Sequence, residues 1–299
     1  MKRILFIYNR HAGKNKTWSS LSDIINAMTE QDCLVSTYPT QYRGDAGEAI
    51  VRWSEDFDQV VVAGGDGTLS EAISGAIRLP QPPIIGYIPV GTTNDFSKNL
   101  NLPDPGDLPA LAATAVTGVP QTHDLGRFNG KSFLYVAAFG ALTEISYSTS
   151  QKAKNLLGYN AYVLEAMKNL LTIKPYHIKV EYEDQVIEGD FLYGMVSNTT
   201  TVGRFDNFPP GNPDLSDGLL EVTLISPVRD AKDAEEFSRA LLKTDPSILN
   251  SMLTTFSTAK VKITAANDLL WTLDGEAGGA HQVVEIEAMH NAYTIIHGK

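Results

Sequence analysis

The strongest signal in the chain is the stretch Val60-Val-Val-Ala-Gly-Gly-Asp-Gly-Thr-Leu-Ser-Glu71. Its four apolar residues predict a buried strand, and a helical pattern begins directly after Gly64–Thr68. Glycines let a backbone approach a phosphate closely, and a helix N-terminus offers free N–H groups and the positive end of a dipole. At the carboxyl end of a parallel strand, this combination predicts a ligand site. The spacing matches neither the Rossmann glycine motif nor the Walker A loop.

The pattern around this stretch predicts an α/β domain over residues 1–124 with a parallel sheet. Short apolar runs alternate there with helical periodicity. The predicted strands are Ile4–Tyr8, Cys33–Tyr38, Val60–Ala63 and Ile84–Ile88. The predicted helices are Trp18–Thr29, Ala46–Trp53, Leu69–Ile77 and Leu108–Thr117.

Residues 125–299 have a different pattern, which predicts an all-β antiparallel sandwich with helical insertions. Asn129-Gly130 lies between apolar runs and indicates a hairpin, and Val180–Glu188 repeats the pattern. Further strands are predicted at Phe191–Ser197, Leu219–Ile225, Ala259–Ile263, Leu269–Leu273 and Val283–Ala288. The insertions are expected at about 153–172 and 231–254. The last strand, Ala292–His297, could pair with either domain.

Composition excludes several classes of protein. The net charge of −11 argues against general nucleic-acid binding, which depends on Lys and Arg neutralising phosphates. The single cysteine, Cys33, cannot form an internal disulfide framework. No apolar stretch approaches the roughly 20 residues of a membrane span, and the N-terminus does not resemble a signal peptide. We therefore expect a cytoplasmic protein whose membrane contact, if any, is peripheral.

A second polar loop, Gly91-Thr-Thr-Asn-Asp95, follows the next predicted strand. Alone it could simply be the start of a helix at an Asn/Asp cap. Beside the first loop, it is interpreted as the other side of a nucleotide cleft. Asn9, at the end of the first strand, can serve the same cleft.

Gly-Gly-Asp-Gly-Thr at 64–68, followed by Gly-Thr-x-Asn-Asp-Phe at 91–96, resembles the diacylglycerol kinase catalytic family. That family includes soluble bacterial lipid kinases and sphingosine kinases. Three more pieces follow in order along nearly the whole chain, Asp124-Leu-Gly, Pro213–Val222 and Leu273-Asp-Gly-Glu276. The first motif alone would be less specific, because NAD kinases share it. The resemblance implies an NAD-kinase-like, Rossmann-like first domain before the sandwich.

The resemblance also implies roles for individual residues. Glu276 would be the general base, and Asp66 would stand at the centre of the phosphate site. Mg²⁺ would be held by the Asp217 side chain and by the carbonyls of Asp214 and Leu219, within an acidic network that includes Asp66, Asp95 and Asp124. The candidate ATP-binding residues are Asn9, Thr40, Gly64, Gly65, Asp66, Gly67, Thr68, Leu69, Ser70, Glu71, Gly91, Thr92, Asn94 and Asp95.

The chain departs from the family pattern at a few positions. Ser70 stands where an asparagine is usual, and no proline follows Asn9. Asp214 replaces a lysine found in some relatives, which a ligand contact through the carbonyl should tolerate.

The function implied is transfer of the ATP γ-phosphate to the hydroxyl of diacylglycerol, which gives phosphatidic acid. Alternatives are another lipid acceptor (phosphatidylglycerol, a sphingoid base or ceramide), an NAD kinase, and a regulator that senses nucleotide without catalysis. Relatives of this kind suggest a homodimer. The segment Lys152–Thr172 could be core packing or a lipid-docking face.

Overall fold

The computed structural model describes residues 1–13, 20–140, 174–202, 205–206, 213–243, 248 and 252–299. They form two compact units, one of Met1–Leu125 with Met289–Lys299 and one of Gly126–Ala288. The predicted helical insertion at 153–172 lies outside the described residues. None of the helices in these ranges is long and apolar enough to cross a membrane.

The first unit is built on a parallel sheet. Its strands are β1 (Lys2–Tyr8), β2 (Cys33–Pro39), β3 (Gln59–Gly64) and β4 (Ile85–Pro89), in the order β4-β3-β1-β2. The C-terminal strand also joins this sheet, because Ile295 pairs in parallel with Ile85. The predicted parallel α/β architecture is confirmed.

Helices cover both faces of this sheet. They are α1 (Leu21–Thr29), α2 (Asp45–Trp53), α3 (Asp66–Ala76) and α4 (Leu108–Thr117), with 3-10 helices at Ser54–Asp56 and Asp95–Leu100. Phe6 and Val61 pack with Ile24 of α1 and Leu111 of α4. Successive side chains of a strand point to opposite faces of the sheet. The alternate strand residues, such as Ile7 and Val62, therefore lie on the other face and are equally buried. On that face, α2 contacts β1 and α3 contacts β3.

The second unit is antiparallel, as the sequence predicts. It begins with the end of β5 (Val119–Phe128). Its other elements are β6 (Lys131–Phe133), β7 (Val136–Gly140), β8 (Tyr176–Tyr182), β9 (Gln185–Phe191), β10 (Tyr193–Ser197), β11 (Thr201–Val202), β12 (Phe205–Asp206), β13 (Leu220–Ile225), α5 (Ala231–Lys243), β14 (Leu253–Thr258), β15 (Lys260–Leu273) and the first part of β16 (Glu276–His297).

The main sheet of this unit runs β14-β13-β10-β7-β15-β16, and the β8-β9 hairpin pairs with β15. Phe139, Trp271, Val222 and Ile263 are among the residues that fill its apolar core. Both predicted hairpins are confirmed. Phe128 pairs with Lys131 around Asn129-Gly130, whose φ angles of 45° and 84° suit a tight two-residue turn.

Several predicted boundaries in this unit are wrong. The predicted strands Ala259–Ile263 and Leu269–Leu273 correspond to one strand, β15, which begins at Lys260 and whose pairing continues past an irregularity between Thr264 and Leu269. Val283–Ala288 and Ala292–His297 are likewise parts of β16. In β15, the irregularity between Thr264 and Leu269 contains polar residues that resemble a strand break in the sequence.

Two other predicted segments also need correction. Phe191–Ser197 is divided, because Phe191 ends β9 and β10 begins at Tyr193. The helix predicted to reach residue 254 is wrong at its end, since Leu253 starts β14 and pairs with Ile225. Leu253–Thr258 is rich in β-branched residues, and this pairing outweighs the helical pattern before it.

Two glycines set the distance between α2 and α3. A Cβ on Gly75 would lie 2.5 Å from the Cα of Gly47, and a Cβ on Gly47 would lie 2.6 Å from the carbonyl oxygen of Glu71. Both distances are too short for real side chains, and the obstructing atoms belong to the backbone. Because α3 begins at the first glycine loop, this packing also positions that loop.

We predict that Gly75→Ala destabilises the protein by about 1–3 kcal/mol through overpacking. The cost of overpacking should exceed the roughly 1 kcal/mol that alanine gains over glycine in helix propensity, so the variant should be less stable than the wild type. Urea denaturation measures the change. Gly189→Ala is the matched control, since a Cβ there would be 3.6 Å from the nearest atom of the Phe191 ring. A Gly75→Ala protein as stable as the wild type would contradict the packing described.

Candidate active site

The first glycine loop lies at the carboxyl end of β3. Gly64 ends the strand, Gly65 is the extended N-cap residue of α3, and the helix begins at Asp66. The N–H groups of Thr68 and Leu69 both donate to the Gly65 carbonyl, at 3.0 and 3.1 Å. The Leu69 side chain is fully buried, so this residue can offer a ligand only its backbone.

Asn9 orients the hydroxyl of Thr68. Its Nδ2 donates to Thr68 Oγ1 at 3.0 Å, and its Oδ1 accepts the N–H of His11 at 2.9 Å. The backbone N–H of Asn9 donates to Ala63 at the end of β3. Because the Thr68 oxygen accepts from Asn9, its own hydrogen can donate to a bound anion.

Asp66 joins the two predicted nucleotide loops. Its Oδ2 accepts the N–H of Asp95 at 2.9 Å and its Oδ1 accepts the N–H of Phe96 at 3.1 Å. Burial raises the pKa of the Asp66 carboxyl, while these backbone donors act to lower it. Asp66 therefore caps the 3-10 helix after β4.

The second loop touches the first through glycine backbones. Asn94, in the left-handed region at φ 53°, bridges Gly91 by accepting its N–H at 2.9 Å and donating to its carbonyl at 3.0 Å. A Cβ on Gly91 would lie 2.5 Å from the Cα of Gly65. Thr92 beside it is exposed, and Asp95 is buried with the Lys98 ammonium 3.9 Å away.

Thr40 stands at the same edge of the sheet. It follows β2, and its N–H donates to the carbonyl of Tyr8 at the end of β1. The loop after it is shaped by Asp45, which accepts the N–H of Gln41 at 2.6 Å and the hydroxyl of Tyr38 at 3.1 Å. The carboxyl ends of β1 to β4 thus bring Asn9, Thr40 and both loops together, as the sequence predicts.

Asp124 is fully buried on β5 and holds the C-terminal strand. Its Oδ1 accepts the backbone N–H of Asn291 at 2.7 Å and is 3.0 Å from Nδ1 of His290. The neighbouring His123 places Nε2 2.8 Å from Nε2 of His297, and burial lowers the pKa of His297. Sequence reasoning missed this histidine pair, because residues so far apart give no local signal.

Glu276 lies on an exposed hairpin turn between β15 and β16. Asp274 and Gly275 form the turn, with φ angles of 51° and 80°. The Asp274 carboxylate accepts the N–H groups of Leu134, Tyr135 and Val136, at 2.6, 2.9 and 3.2 Å. Asp274 therefore fixes the turn that carries Glu276. The Asp-Gly turn is predicted from the sequence, but this anchoring role is not, because its partners lie about 140 residues away.

The loop from Asp214 to Leu219 is shaped by its own carboxylates. Asp217 Oδ1 accepts the N–H of Leu219 at 2.9 Å, and Asp214 Oδ1 accepts the N–H and hydroxyl of Ser216 at 3.0 and 2.9 Å. Within the described ranges, no three Asp, Glu, His or Cys side chains group closely enough to hold a metal ion. The set predicted from the sequence has instead one side chain and two backbone carbonyls, which are oxygen ligands of the kind Mg²⁺ accepts.

Glu221 is a buried acid near this loop that sequence reasoning missed. Its side-chain Oε2 is buried without a hydrogen-bond partner among the described residues. Burial, together with the charges of Asp217 and Asp214, raises the pKa of Glu221 to about 7. The sequence feature that could have revealed Glu221 is an acidic residue inside a strand that is predicted to be buried.

The predicted residues are divided between the two units. Asp66, Asp95 and Asp124 lie in the first, and Asp214, Asp217, Leu219 and Glu276 in the second. Asp66 and Asp95 are joined directly by a hydrogen bond. The wider network of four acids around a metal stays a prediction.

Comparison with known proteins covers both parts of the chain. Residues 3–128 match the family model described as the diacylglycerol kinase catalytic domain. Residues 140–297 match the YegS C-terminal NAD kinase beta sandwich-like domain. The diacylglycerol kinase of Bacillus subtilis is 33% identical over 93% of this chain and 91% of its own. That of Staphylococcus carnosus is 32% identical over 93% and 90%.

The chain belongs to the diacylglycerol kinase family. It is therefore an enzyme of the lipid kinase class, and family membership implies that it uses ATP. A solved Bacillus anthracis structure, 24% identical, superposes with a TM-score of 0.82 over 99% of this chain and 95% of its own. That likeness supports the two-part fold described above.

We predict that Asp274→Ala destabilises this diacylglycerol kinase family member by about 2 kcal/mol or more, because three N–H groups lose a charged acceptor. Thermal unfolding measures the loss. Asp184→Ala, at the exposed turn between β8 and β9, removes an equivalent acid and should change stability little. Equal stability of the two variants would show that Asp274 does not anchor the turn.

Proposed function

We propose that the protein transfers the γ-phosphate of ATP to the free hydroxyl of diacylglycerol and so forms phosphatidic acid. Two relatives that match over more than nine tenths of this chain are named diacylglycerol kinase. The structural observation that carries the proposal is the backbone contact between Gly65 and Gly91, held by Asp66.

This contact supports a phosphate site for physical reasons. Because the two loops meet through glycine backbones, the second loop lies directly against the N-terminus of α3, where free N–H groups and the helix dipole favour a phosphate. The Asn9-oriented hydroxyl of Thr68 adds a donor there. Gly65–Glu71 would hold the phosphates, while Thr40, Thr92 and Asn94 would complete the nucleotide contacts. Leu69 would contribute its backbone alone.

Glu276 is proposed as the general base. It removes the proton from the lipid hydroxyl as the oxygen bonds to the γ-phosphorus, while the bond from the γ-phosphorus to the β–γ bridging oxygen breaks and ADP leaves. The carboxylate is exposed, so a substrate can reach it. The hydrogen bonds of Asp274 keep its turn in one conformation, which suits a group that must be positioned.

Mg²⁺ is proposed as the metal of the enzyme. The Asp217 side chain and the carbonyls of Asp214 and Leu219 would hold a cation in the second unit. Asp124 and Asp66 would contribute negative charge. A bound Mg²⁺ neutralises charge that develops on phosphoryl oxygens. The donor set fits this ion because it is made of oxygen atoms, and because the nearby Glu221 has a buried oxygen without a partner.

The protein is proposed to bind its lipid substrate at a membrane surface through peripheral contact. A diacylglycerol molecule is retained in a bilayer by its acyl chains, so a kinase that acts on it must work at that interface. A homodimer stays a prediction.

The proposal is tested by transfer of labelled phosphate from ATP to mixed micelles with Mg²⁺. Separate micelles contain diacylglycerol, phosphatidylglycerol, ceramide or sphingosine, and soluble NAD serves as a further acceptor. Labelling of diacylglycerol above all others is expected. Preferential labelling of another lipid would replace the substrate, and labelling of NAD alone would contradict the proposal.

Glu276→Gln should lower the turnover number by about 10²-fold or more, because it removes the base. ATP affinity and melting temperature should stay at wild-type values, since the side chain is exposed on its turn. Glu183→Gln is the matched control, because Glu183 is also an exposed acid at a hairpin turn of this unit. Near wild-type turnover in Glu276→Gln would refute its assignment as the base.

Gly91→Ala should weaken ATP binding by about tenfold or more, because the added methyl group forces the two loops apart at a cost of 1–3 kcal/mol. A fluorescent ATP analogue measures the affinity without any lipid present. Gly189→Ala lies in the other unit and should bind the analogue normally. Unchanged affinity in a folded Gly91→Ala protein would mean that the two loops do not form one nucleotide site.

A further inference from the structure

Three polar side-chain atoms on one face of neighbouring strands are buried without a hydrogen-bond partner among the described residues. They are Oγ of Ser197 on β10, and Oε2 of Glu221 and Oγ1 of Thr223 on β13. Ser197 is directly opposite Glu221 in the antiparallel pairing, so their side chains leave the same face of the sheet. The other face, with Leu220 and Val222, lies in the apolar core.

A buried polar atom without a partner costs free energy that a folded protein normally avoids. The cost is highest for a carboxylate oxygen, and Glu221 is only 8% exposed. The oxygen therefore marks a place that can accept a hydrogen bond from a donor outside the described residues. Since a carboxylate can only accept hydrogen bonds, that donor must supply N–H or O–H groups.

The position of Glu221 indicates which donor this is. It follows Leu219 by two residues and lies near the start of β13. The loop that carries Asp214 and Asp217 is attached to the end of β10 by the Asn198 amide, which donates to the Leu215 carbonyl at 3.3 Å. Magnesium gives up its water reluctantly and usually keeps several bound molecules, whose O–H groups are strong donors.

We infer that Glu221 is a positioning residue for the divalent cation, and that its carboxylate, with the Ser197 hydroxyl, accepts hydrogen bonds from water molecules bound to the ion. The inference rests on the proposed cation site at Asp214, Asp217 and Leu219. It adds a partner outside the set of direct ligands. Such partners orient the ligands, and their loss typically weakens metal binding by about 10–100-fold.

The experiment measures Mn²⁺ affinity by electron paramagnetic resonance on the whole protein, without ATP or lipid. Glu221→Gln keeps the size of the side chain and removes its charge. It should bind Mn²⁺ about 10–100-fold more weakly than the wild type. Its melting temperature without metal should equal or exceed that of the wild type, because a buried charge without a partner among the described residues is removed. The rise in melting temperature on adding Mn²⁺ should shrink.

The matched control is Glu188→Gln, which removes the same charge from an exposed strand position in the same unit. It should bind Mn²⁺ like the wild type. Asp217→Asn, which changes the proposed ligand itself, should bind weakest. If Glu221→Gln fails to fold, the Mn²⁺ affinity of Ser197→Ala tests the inference instead. This variant is expected to bind Mn²⁺ more weakly than the wild type.

Equal Mn²⁺ affinity in Glu221→Gln and the wild type would overturn the inference. A lower melting temperature without metal, with unchanged affinity, would identify Glu221 as a packing residue only. If the wild type binds no Mn²⁺, both the inference and the proposed cation site fail. Lipid phosphorylation is measured separately, so its failure with Mn²⁺ binding intact would contradict the proposed function alone.

Discussion

The Asp66 carboxylate joins the loops after β3 and β4 through two hydrogen bonds from backbone N–H groups. The proposed nucleotide site depends on this interaction. The loops after β3 and β4 have few side chains of their own to fix them, because glycines stand where they meet. By accepting the N–H groups of Asp95 and Phe96, Asp66 sets the second loop against the first. A neutral or shorter side chain would leave these amides without a charged acceptor, and the loops could separate.

The two loops also place negative charge where a triphosphate is proposed to bind. Asp66 is half-buried and Asp95 is buried, and Asp124 is a further buried acid of the first unit. Backbone donors offset part of that charge at Asp66 and Asp124. A cation that accompanies the nucleotide would offset more of it.

Local patterns predicted the parallel sheet, both hairpins and the two loops, because each follows from residues close together in the sequence. The loop after β3, for example, needs only a buried strand, two glycines and a helix start. The roles of Asp274 and Glu221, and the pair His123–His297, depend on partners far along the chain or on burial. The long strand β15 is predicted as two strands because polar residues at its irregularity, between Thr264 and Leu269, resemble a turn.

Hydrogen exchange of the backbone amides, followed by mass spectrometry with and without ATP, tests the central claim most directly. If the two loops form one nucleotide site held by Asp66, ATP should slow exchange in residues 64–71 and 91–96 together. In Asp66→Asn, the amides of Asp95 and Phe96 should exchange faster even before ATP is added. Protection of only one loop by ATP, or unchanged exchange at Asp95 and Phe96 in the variant, would contradict the account.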